Sequence, residues 1–162
     1  MTEKKFTYHP IGTISTPHKE VQGMPIQPSS AIGTKGEIEL SPRYSDGLKD
    51  LEGFSHIIVI YAFDKSTGFS LQPKPFLDDN IHGVFATRAP RRPNPLGLSV
   101  LKLIEIRGNR LFVENVDMLD ETPILDIKPY VSIFDGVDEE KLGWLAEHIN
   151  EAESKKADDR FK

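Results

Sequence analysis

The chain has 162 residues, of which 38% are hydrophobic and 28% charged, which is typical of one soluble globular domain. It contains no cysteine, which excludes disulfides, thiolate metal sites and cysteine nucleophiles. Its formal net charge of −5 argues against a general nucleic-acid binder, and its longest apolar run, residues 57–63, is too short to cross a membrane.

Three strands are predicted in the first half of the chain. The first covers residues 8–15. The second, Lys35–Leu40, alternates glutamates with apolar residues, which is the pattern of a half-buried strand. The third, residues 54–63, is apolar on both faces and is therefore expected to be central in a sheet. Residues 16–33 form a turn-rich segment that is longer than a simple connecting loop, and residues 64–81 form a loop.

Four more strands are predicted in the second half. Residues 98–107 and 110–117 are joined by the two-residue turn Gly108–Asn109 and form a hairpin. Shorter strands are predicted over residues 83–87 and 125–133. These short strands have hairpin or loop connections and do not alternate with helices. They therefore predict a mainly β protein, built as a small antiparallel β-barrel rather than a Rossmann sheet.

A C-terminal helix is predicted after the barrel, with Asp138 as its N-cap. Four apolar residues recur at helical spacing and would share one face: Leu142, Leu145, Ile149 and Ala152. The last eight residues are expected to fray. The expected organisation is a barrel domain over residues 1–137, followed by a helix and a frayed tail over residues 138–162.

The segment of residues 83–99 is the strongest candidate for a functional site. Its three prolines, Pro90, Pro93 and Pro95, restrict the backbone. They would hold Arg92 and Asn94 in an extended chain with both side chains on one face. Four basic residues and no acid lie between residues 82 and 104: Arg88, Arg91, Arg92 and Lys102. Preordered basic side chains suit a binding site, and the alternative is a rigid connector with solvated arginines.

Three further segments are weaker candidates. Acidic side chains cluster at a strand end within residues 117–130, where carboxylates can accept ribose hydroxyls or a ligand amine, or simply form a turn. Asp64 and Lys65 follow the third strand, where they would either line a site at the barrel rim or cap a turn. The loop of residues 23–28 could present backbone groups to a ligand, although its composition favours a structural role.

Several other kinds of site find no support in the sequence. The chain lacks the serine elbow of α/β-hydrolases, the glycine-rich dinucleotide fingerprint and the Walker lysine. No metal site is predicted, because none of the five histidines has a metal-ligand spacing with another histidine or a carboxylate: His9, His18, His56, His82 and His148.

Four sequence motifs together resemble the TsaA-like (TrmO) family. The longest is GVFATRAPRRPNPLGLS at residues 83–99. The others are IGTISTPHK at residues 11–19, LEGFSHIIVI at residues 51–60 and DETPILDIKPY at residues 120–130. The motifs span nearly the whole predicted barrel, and the longest is too specific for chance agreement.

The resemblance implies a homodimeric β-barrel that binds S-adenosylmethionine outside the Rossmann class. A cytoplasmic location is expected because no apolar signal segment follows the charged N-terminal residues. The resemblance further implies methylation of the exocyclic nitrogen of threonylcarbamoyladenosine, next to the anticodon of certain tRNAs. Arg92 and Asn94 would face the tRNA or the reacting nitrogen, and Asp120 is a candidate general base. The implied cofactor contacts fall on Pro25, Ile26, Gln27, Asp64, Lys65, Arg88, Leu98, Asp120, Glu121 and Thr122.

Two positions depart from the family pattern. Asp64 stands where histidine is common, and Glu121 stands where glycine is common, at a position that could require positive φ. Two alternative functions stay open on the sequence alone. One is a non-catalytic module that binds a nucleotide or RNA, and the other is a methyltransferase of the same fold with a different substrate.

Overall fold

The computed structural model describes residues 4–161 and contains a closed six-stranded antiparallel barrel. The strands are β1 (Gly12–Ser15), β2 (Lys35–Leu40), β3 (His56–Ala62), β4 (Leu96–Arg107), β5 (Arg110–Glu114) and β6 (Thr122–Pro129). Their order around the barrel is β1-β2-β5-β4-β3-β6, and β6 returns to β1 to close it. The predicted mainly β barrel is thus confirmed.

The barrel interior is filled by alternate side chains of its strands. In β3, every second residue is buried, because successive side chains of a strand point to opposite faces. Ile57 and Val59 are completely buried there, and they meet inward residues of the neighbouring strands such as Leu101 and Ile124. Closure leaves the barrel no open sheet edge, so all six strands are paired on both sides.

The short connections are mostly single helical turns. They are 3₁₀ helices at Pro28–Ser30, Pro42–Leu48, Leu51–Gly53 and Val84–Ala86, and one α-helical turn, α1, at Ser132–Asp135. Among residues 4–161, no helix is both long and apolar enough to span a lipid bilayer.

Several predicted strands are wrong in kind or extent. The strand predicted over residues 8–15 begins only at Gly12, and that predicted over residues 110–117 ends at Glu114. Residues 83–87 form the 3₁₀ turn at Val84–Ala86, because β3 already pairs with β4 and β6 and no further strand can join the barrel here. Thr87 closes this turn, since its hydroxyl donates to the Val84 carbonyl. The last strand covers Thr122–Pro129 rather than residues 125–133, and the chain then turns into α1.

The predicted C-terminal helix is also wrong, and up to Phe161, the last described residue, the tail is held rather than frayed, while residue 162 lies outside the described residues. Two 3₁₀ helices, Gly143–Glu147 and Ile149–Glu151, replace the predicted helix. Gly143 has φ of 58°, which no regular helix continues through. We call residues 143–161 the C-terminal strap. It lies against the loops around the barrel, and its last described residue, Phe161, is buried.

Candidate functional site

One cavity of about 660 Å³ combines nearly all the segments that the sequence singled out. Its walls come from the end of β3, the start of β4, the loop of residues 21–27 and the proline-rich loop of residues 87–94. This volume lies within the range of small-molecule sites, about 300–1,000 Å³. Every predicted site residue except Asp120 and Glu121 lines it: Pro25, Ile26, Gln27, Asp64, Lys65, Arg88, Arg92, Asn94, Leu98 and Thr122.

The proline-rich loop is ordered by its own hydrogen bonds. The backbone amides of Arg92 and Leu96 each donate to the carbonyl two residues earlier, at 2.9 and 2.7 Å. The Arg92 guanidinium donates to the carbonyls of Thr87 and Ala89, at 3.0 and 3.3 Å. Arg92 lines the cavity, and its hydrogen bonds also fix the shape of the loop. The segment therefore turns tightly, and the prediction of a fully extended chain here is wrong.

Arg88 connects two walls of the cavity. Its guanidinium donates to the side-chain oxygen of Gln27 at 3.1 Å, so the proline-rich loop is tied to the loop of residues 21–27. Lys65, which also lines the cavity, donates to the backbone carbonyl of Asp120 at 3.4 Å. Two cationic side chains thus line the same space, which suits a ligand carrying a carboxylate or phosphate.

Asp120 and Glu121 lie beside the cavity rather than in its wall. The Asp120 carboxylate accepts hydrogen bonds from Lys19 Nζ at 2.5 Å and from the Thr16 amide at 2.9 Å. The bond from Lys19 holds the pKa of Asp120 below its ordinary value, which makes it a poor proton acceptor. Glu121 has φ of 64°, so the expectation of positive φ at this position is confirmed.

A buried polar chain at the cavity was not singled out from the sequence. Tyr61 and Asp117 line the cavity, and Ser99 lies between them. The Ser99 hydroxyl donates to the Asp117 carboxylate at 2.7 Å and lies 3.3 Å from the Tyr61 hydroxyl. Burial raises the pKa of Asp117 to about 6, against the opposing effects of the Ser99 bond and the charge of Arg88. Ser99 is the last residue of the longest motif and Asp117 is the first residue of the acidic cluster, so both residues lie in segments that the sequence had marked as candidates.

The C-terminal strap supplies a further wall that sequence reasoning missed. Ala157 and Phe161 line the cavity, and the Phe161 ring meets Phe76 edge to face at 5.0 Å. Ala157 exchanges backbone hydrogen bonds with Gly23 and Met24, which join the loop of residues 21–27 to the strap. Such contacts join residues more than 80 positions apart, which no local pattern could reveal.

A second cluster fastens the strap to the loop of residues 71–86. The Trp144 indole donates to the Ala86 carbonyl at 2.8 Å and stacks on His82, with ring centres 4.4 Å apart. His82 contacts the Asp78 carboxylate at 2.7 Å, and His148 approaches it at 3.8 Å. We call Asp78, His82, Trp144 and His148 the strap latch.

Residues 13–136 match the family model described as the tRNA-methyltransferase O N-terminal domain. The chain belongs to this family. The family resemblance inferred from the four motifs is thereby confirmed. The matched residues include almost the whole barrel, the proline-rich loop and most of the cavity wall, whereas the C-terminal strap, with its wall residues Ala157 and Phe161, lies outside them.

Two relatives of this chain have names that are consistent with the family model. A probable S-adenosyl-L-methionine-binding protein of Pyrococcus abyssi is 49% identical over 154 residues, covering 95% of this chain and 84% of that protein. The human tRNA (adenine(37)-N6)-methyltransferase is 35% identical over 135 residues, covering 78% of this chain but only 30% of that protein.

Solved structures share the fold. A crystal structure of TrmO superposes with a TM-score of 0.77 at 35% identity, covering 86% of this chain and 64% of that chain. A second, of TrmO from Pseudomonas aeruginosa, has a TM-score of 0.74 at 35% identity and covers 87% of this chain and 63% of that chain. The chain therefore spans slightly less than two thirds of either solved protein.

Proposed function

We propose that this chain is an S-adenosylmethionine-dependent tRNA methyltransferase that modifies the exocyclic nitrogen of threonylcarbamoyladenosine beside the anticodon. The observation that carries the proposal is the cavity itself. It joins a nucleotide-sized space to a loop bearing Arg88 and Arg92, in a family whose named members bind S-adenosylmethionine or methylate tRNA.

The residues of the cavity fit S-adenosylmethionine in size and in chemistry. Arg88 and Lys65 are donors suited to its carboxylate, while Asp64 is an acceptor suited to its ammonium. Apolar side chains would enclose the adenine: Ile26, Phe63 and Leu98. When bound, this cofactor supplies a methyl group on a positively charged sulfur.

The protein's task in such a transfer is positioning and electrostatics. The target nitrogen must be held in line with the methyl group, and it is a weak nucleophile because it is conjugated to a carbonyl. The proline-rich loop would place the modified nucleoside, and its arginines suit the threonyl carboxylate and the tRNA phosphates. The ordering of this loop by Arg92 means that little conformational entropy is lost when substrate binds.

The cofactor site is tested by calorimetric titration of S-adenosylmethionine and S-adenosylhomocysteine. We expect one site per chain, and about tenfold to hundredfold weaker binding in Arg88→Ala, because a charged hydrogen bond contributes about 1.5–3 kcal/mol. Arg107→Ala is the matched control, since Arg107 pairs with Glu105 outside the cavity. A folded protein that binds neither ligand, alone or with tRNA, contradicts the proposal and favours a non-catalytic RNA-binding module.

The substrate is tested by mass spectrometry of nucleosides from treated tRNA. We expect a mass increase of one methyl group on threonylcarbamoyladenosine, and none on the same tRNA with an unmodified adenosine at that position. Methylation of the unmodified tRNA, or of another nucleoside, would retain a methyltransferase but reject the proposed substrate.

The homodimer that the family resemblance implies is part of the same proposal. Ile133, Phe134 and Val137 are adjacent, large and strongly exposed, and they offer an apolar surface that a second copy could cover. Sedimentation should show a dimer for the wild-type protein and a monomer for Phe134→Glu. A monomeric wild-type protein at micromolar concentration would contradict the dimer without affecting the cofactor site.

A further inference from the structure

Asp117 occupies an unusual position between the barrel core and the cavity. It follows β5 and lines the cavity, while Ser99 Oγ, on the adjacent β4, donates to Asp117 Oδ1 at 2.7 Å. Ser99 is only 1% exposed, so the donor end of this bond is shielded from water, while the half-buried Asp117 carboxylate faces the cavity. A carboxylate offers about four acceptor positions, and the bonds from Ser99 and the Asp117 amide therefore leave room for a ligand N–H.

Tyr61 fixes the direction of the hydrogen-bond chain. The single Ser99 proton is directed to Asp117, so the Tyr61 hydroxyl, 3.3 Å from Ser99 Oγ, acts as donor to it. Burial raises the pKa of Tyr61, so this hydroxyl stays protonated. The hydrogen bonds from Tyr61 to Ser99 and from Ser99 to Asp117 therefore both run toward the carboxylate, and the carboxylate acts only as a hydrogen-bond acceptor.

The two aspartates of the acidic cluster, Asp117 and Asp120, have pKa values shifted in opposite directions. Burial raises the pKa of Asp117 to about 6, and Arg88 is the cation that partly opposes this effect. Asp120, three residues later, is paired with Lys19 and has a lowered pKa. A carboxylate poised just below neutral pH is ionised in the working enzyme yet basic enough to take a proton, whereas Asp120 is not.

We propose that Asp117 is the proton acceptor of the methyl transfer and that Ser99 is the positioning residue that aims it. This inference rests on the proposed function above. The substrate nitrogen forms a bond to the methyl carbon, the electron pair of the carbon–sulfur bond goes to sulfur, and the N–H proton passes to the Asp117 carboxylate. The protonated carboxyl then returns its proton to water after product leaves.

The first test is the pH dependence of single-turnover methyl transfer with saturating cofactor. We expect the wild-type rate to rise with pH and level off above an apparent pKa near 6. Asp117→Asn should lower the rate about 100-fold or more and remove this pH dependence, because general-base catalysis contributes about 10² to 10⁴. Asp126→Asn is the matched control, since Asp126 pairs with Lys128 outside the cavity.

Two further measurements do not depend on turnover. Calorimetry should show that Asp117→Asn binds S-adenosylhomocysteine within about threefold of wild type. A carbon-13 NMR titration of labelled aspartate carboxyls should show one group titrating near pH 6, which is absent in Asp117→Asn. In Ser99→Ala this group should titrate at higher pH, because the lost bond had stabilised the ionised form.

The outcomes separate this inference from the proposed function. If the wild-type protein transfers no methyl group, both are overturned. If wild type is active and Asp117→Asn keeps its rate or its pH dependence, only the role of Asp117 is overturned. A loss of more than tenfold in cofactor affinity, with the saturated rate unchanged, would make Asp117 a cofactor ligand. Should Asp117→Asn fail to fold, Ser99→Ala must still shift the pH dependence of the rate upward, and an unshifted profile overturns the inference.

Discussion

Gly97 lies directly opposite Tyr61 where β4 pairs with β3, and the Tyr61 ring covers the space that a side chain at residue 97 would fill. A Cβ atom on Gly97 would come within 2.2 Å of two ring carbons of Tyr61. The absence of a side chain at residue 97 therefore permits the ring position from which the Tyr61 hydroxyl reaches Ser99.

Gly97→Ala should consequently displace the Tyr61 ring and destabilise the barrel. Overpacking of this kind costs about 1–3 kcal/mol in the free energy of unfolding, measurable by urea denaturation. Gly47→Ala is the control, because a Cβ there meets no other atom within 4 Å. Equal unfolding midpoints for the two variants would show that the ring moves aside at no cost.

Phe161→Ala should weaken binding of S-adenosylhomocysteine, because Phe161 forms part of the cavity wall from the C-terminal strap. A lost apolar contact of about 1.4 kcal/mol corresponds to about tenfold in the dissociation constant, which calorimetry resolves. Phe69→Ala is the matched control, since Phe69 is exposed and does not line the cavity. Unchanged affinity in Phe161→Ala would mean that the strap only covers the barrel and takes no part in binding.

The strap latch should release in acid as Asp78 is protonated. Hydrogen bonds from the Asn80 amide and from His82 lower the pKa of Asp78 from 3.8 to about 2. Because the folded form holds this carboxyl ionised, its contribution to stability is complete above about pH 4 and is lost as the pH falls toward 2. Trp144 is the only tryptophan of the chain, so its fluorescence reports the release directly.

Variants at residues 78 and 79 separate the latch from general acid denaturation. Asp78→Asn should show the loosened Trp144 signal already at pH 7 and little further change between pH 4 and pH 2. Asp79→Asn should stay close to wild type, because Asp79 is 87% exposed and its one ion pair with the strap, to Arg160, is long at 3.7 Å. An acid transition that is identical in all three proteins would show that Asp78 does not control the strap.

Glu121→Gly should stabilise the protein. Glu121 has φ of 64°, a left-handed conformation that costs a residue with a side chain about 1–2 kcal/mol and costs glycine little. We expect an increase of about 1 kcal/mol in the free energy of unfolding, measured by thermal or urea denaturation. Glu121→Ala removes the same carboxylate but keeps the strained backbone, and a similar gain in that variant would attribute the effect to charge instead.

Local patterns predicted the barrel strands well, because period-two alternation reports directly on which face of a strand is buried. Lys35–Leu40 was predicted with the bounds that the structure shows, and the turn at Gly108–Asn109 joins β4 to β5 as expected. The predictions failed where a segment contacts distant parts of the chain. Residues 83–87 have strand-like composition, but every barrel strand already has two partners.

The motifs likewise located most of the cavity wall, since Arg88, Arg92 and Asn94 all lie in the longest motif and all line the cavity. They did not distinguish Asp117 from Asp120. The two acids lie three residues apart in the same cluster, and only burial beside Ser99 or pairing with Lys19 separates their pKa values.

By itself, the amino-acid sequence determined the fold class, the family and the segments that surround the cavity, because these depend on residue types at short spacing. Only the tertiary structure decided which carboxylate is enclosed, where the C-terminal strap lies and that Phe161 completes the cavity wall. Those features arise from contacts between residues far apart in the chain, such as Ala157 with Gly23 and Met24. The burial that strengthens these contacts and shifts the pKa values of the carboxyl groups exists only once the barrel has closed.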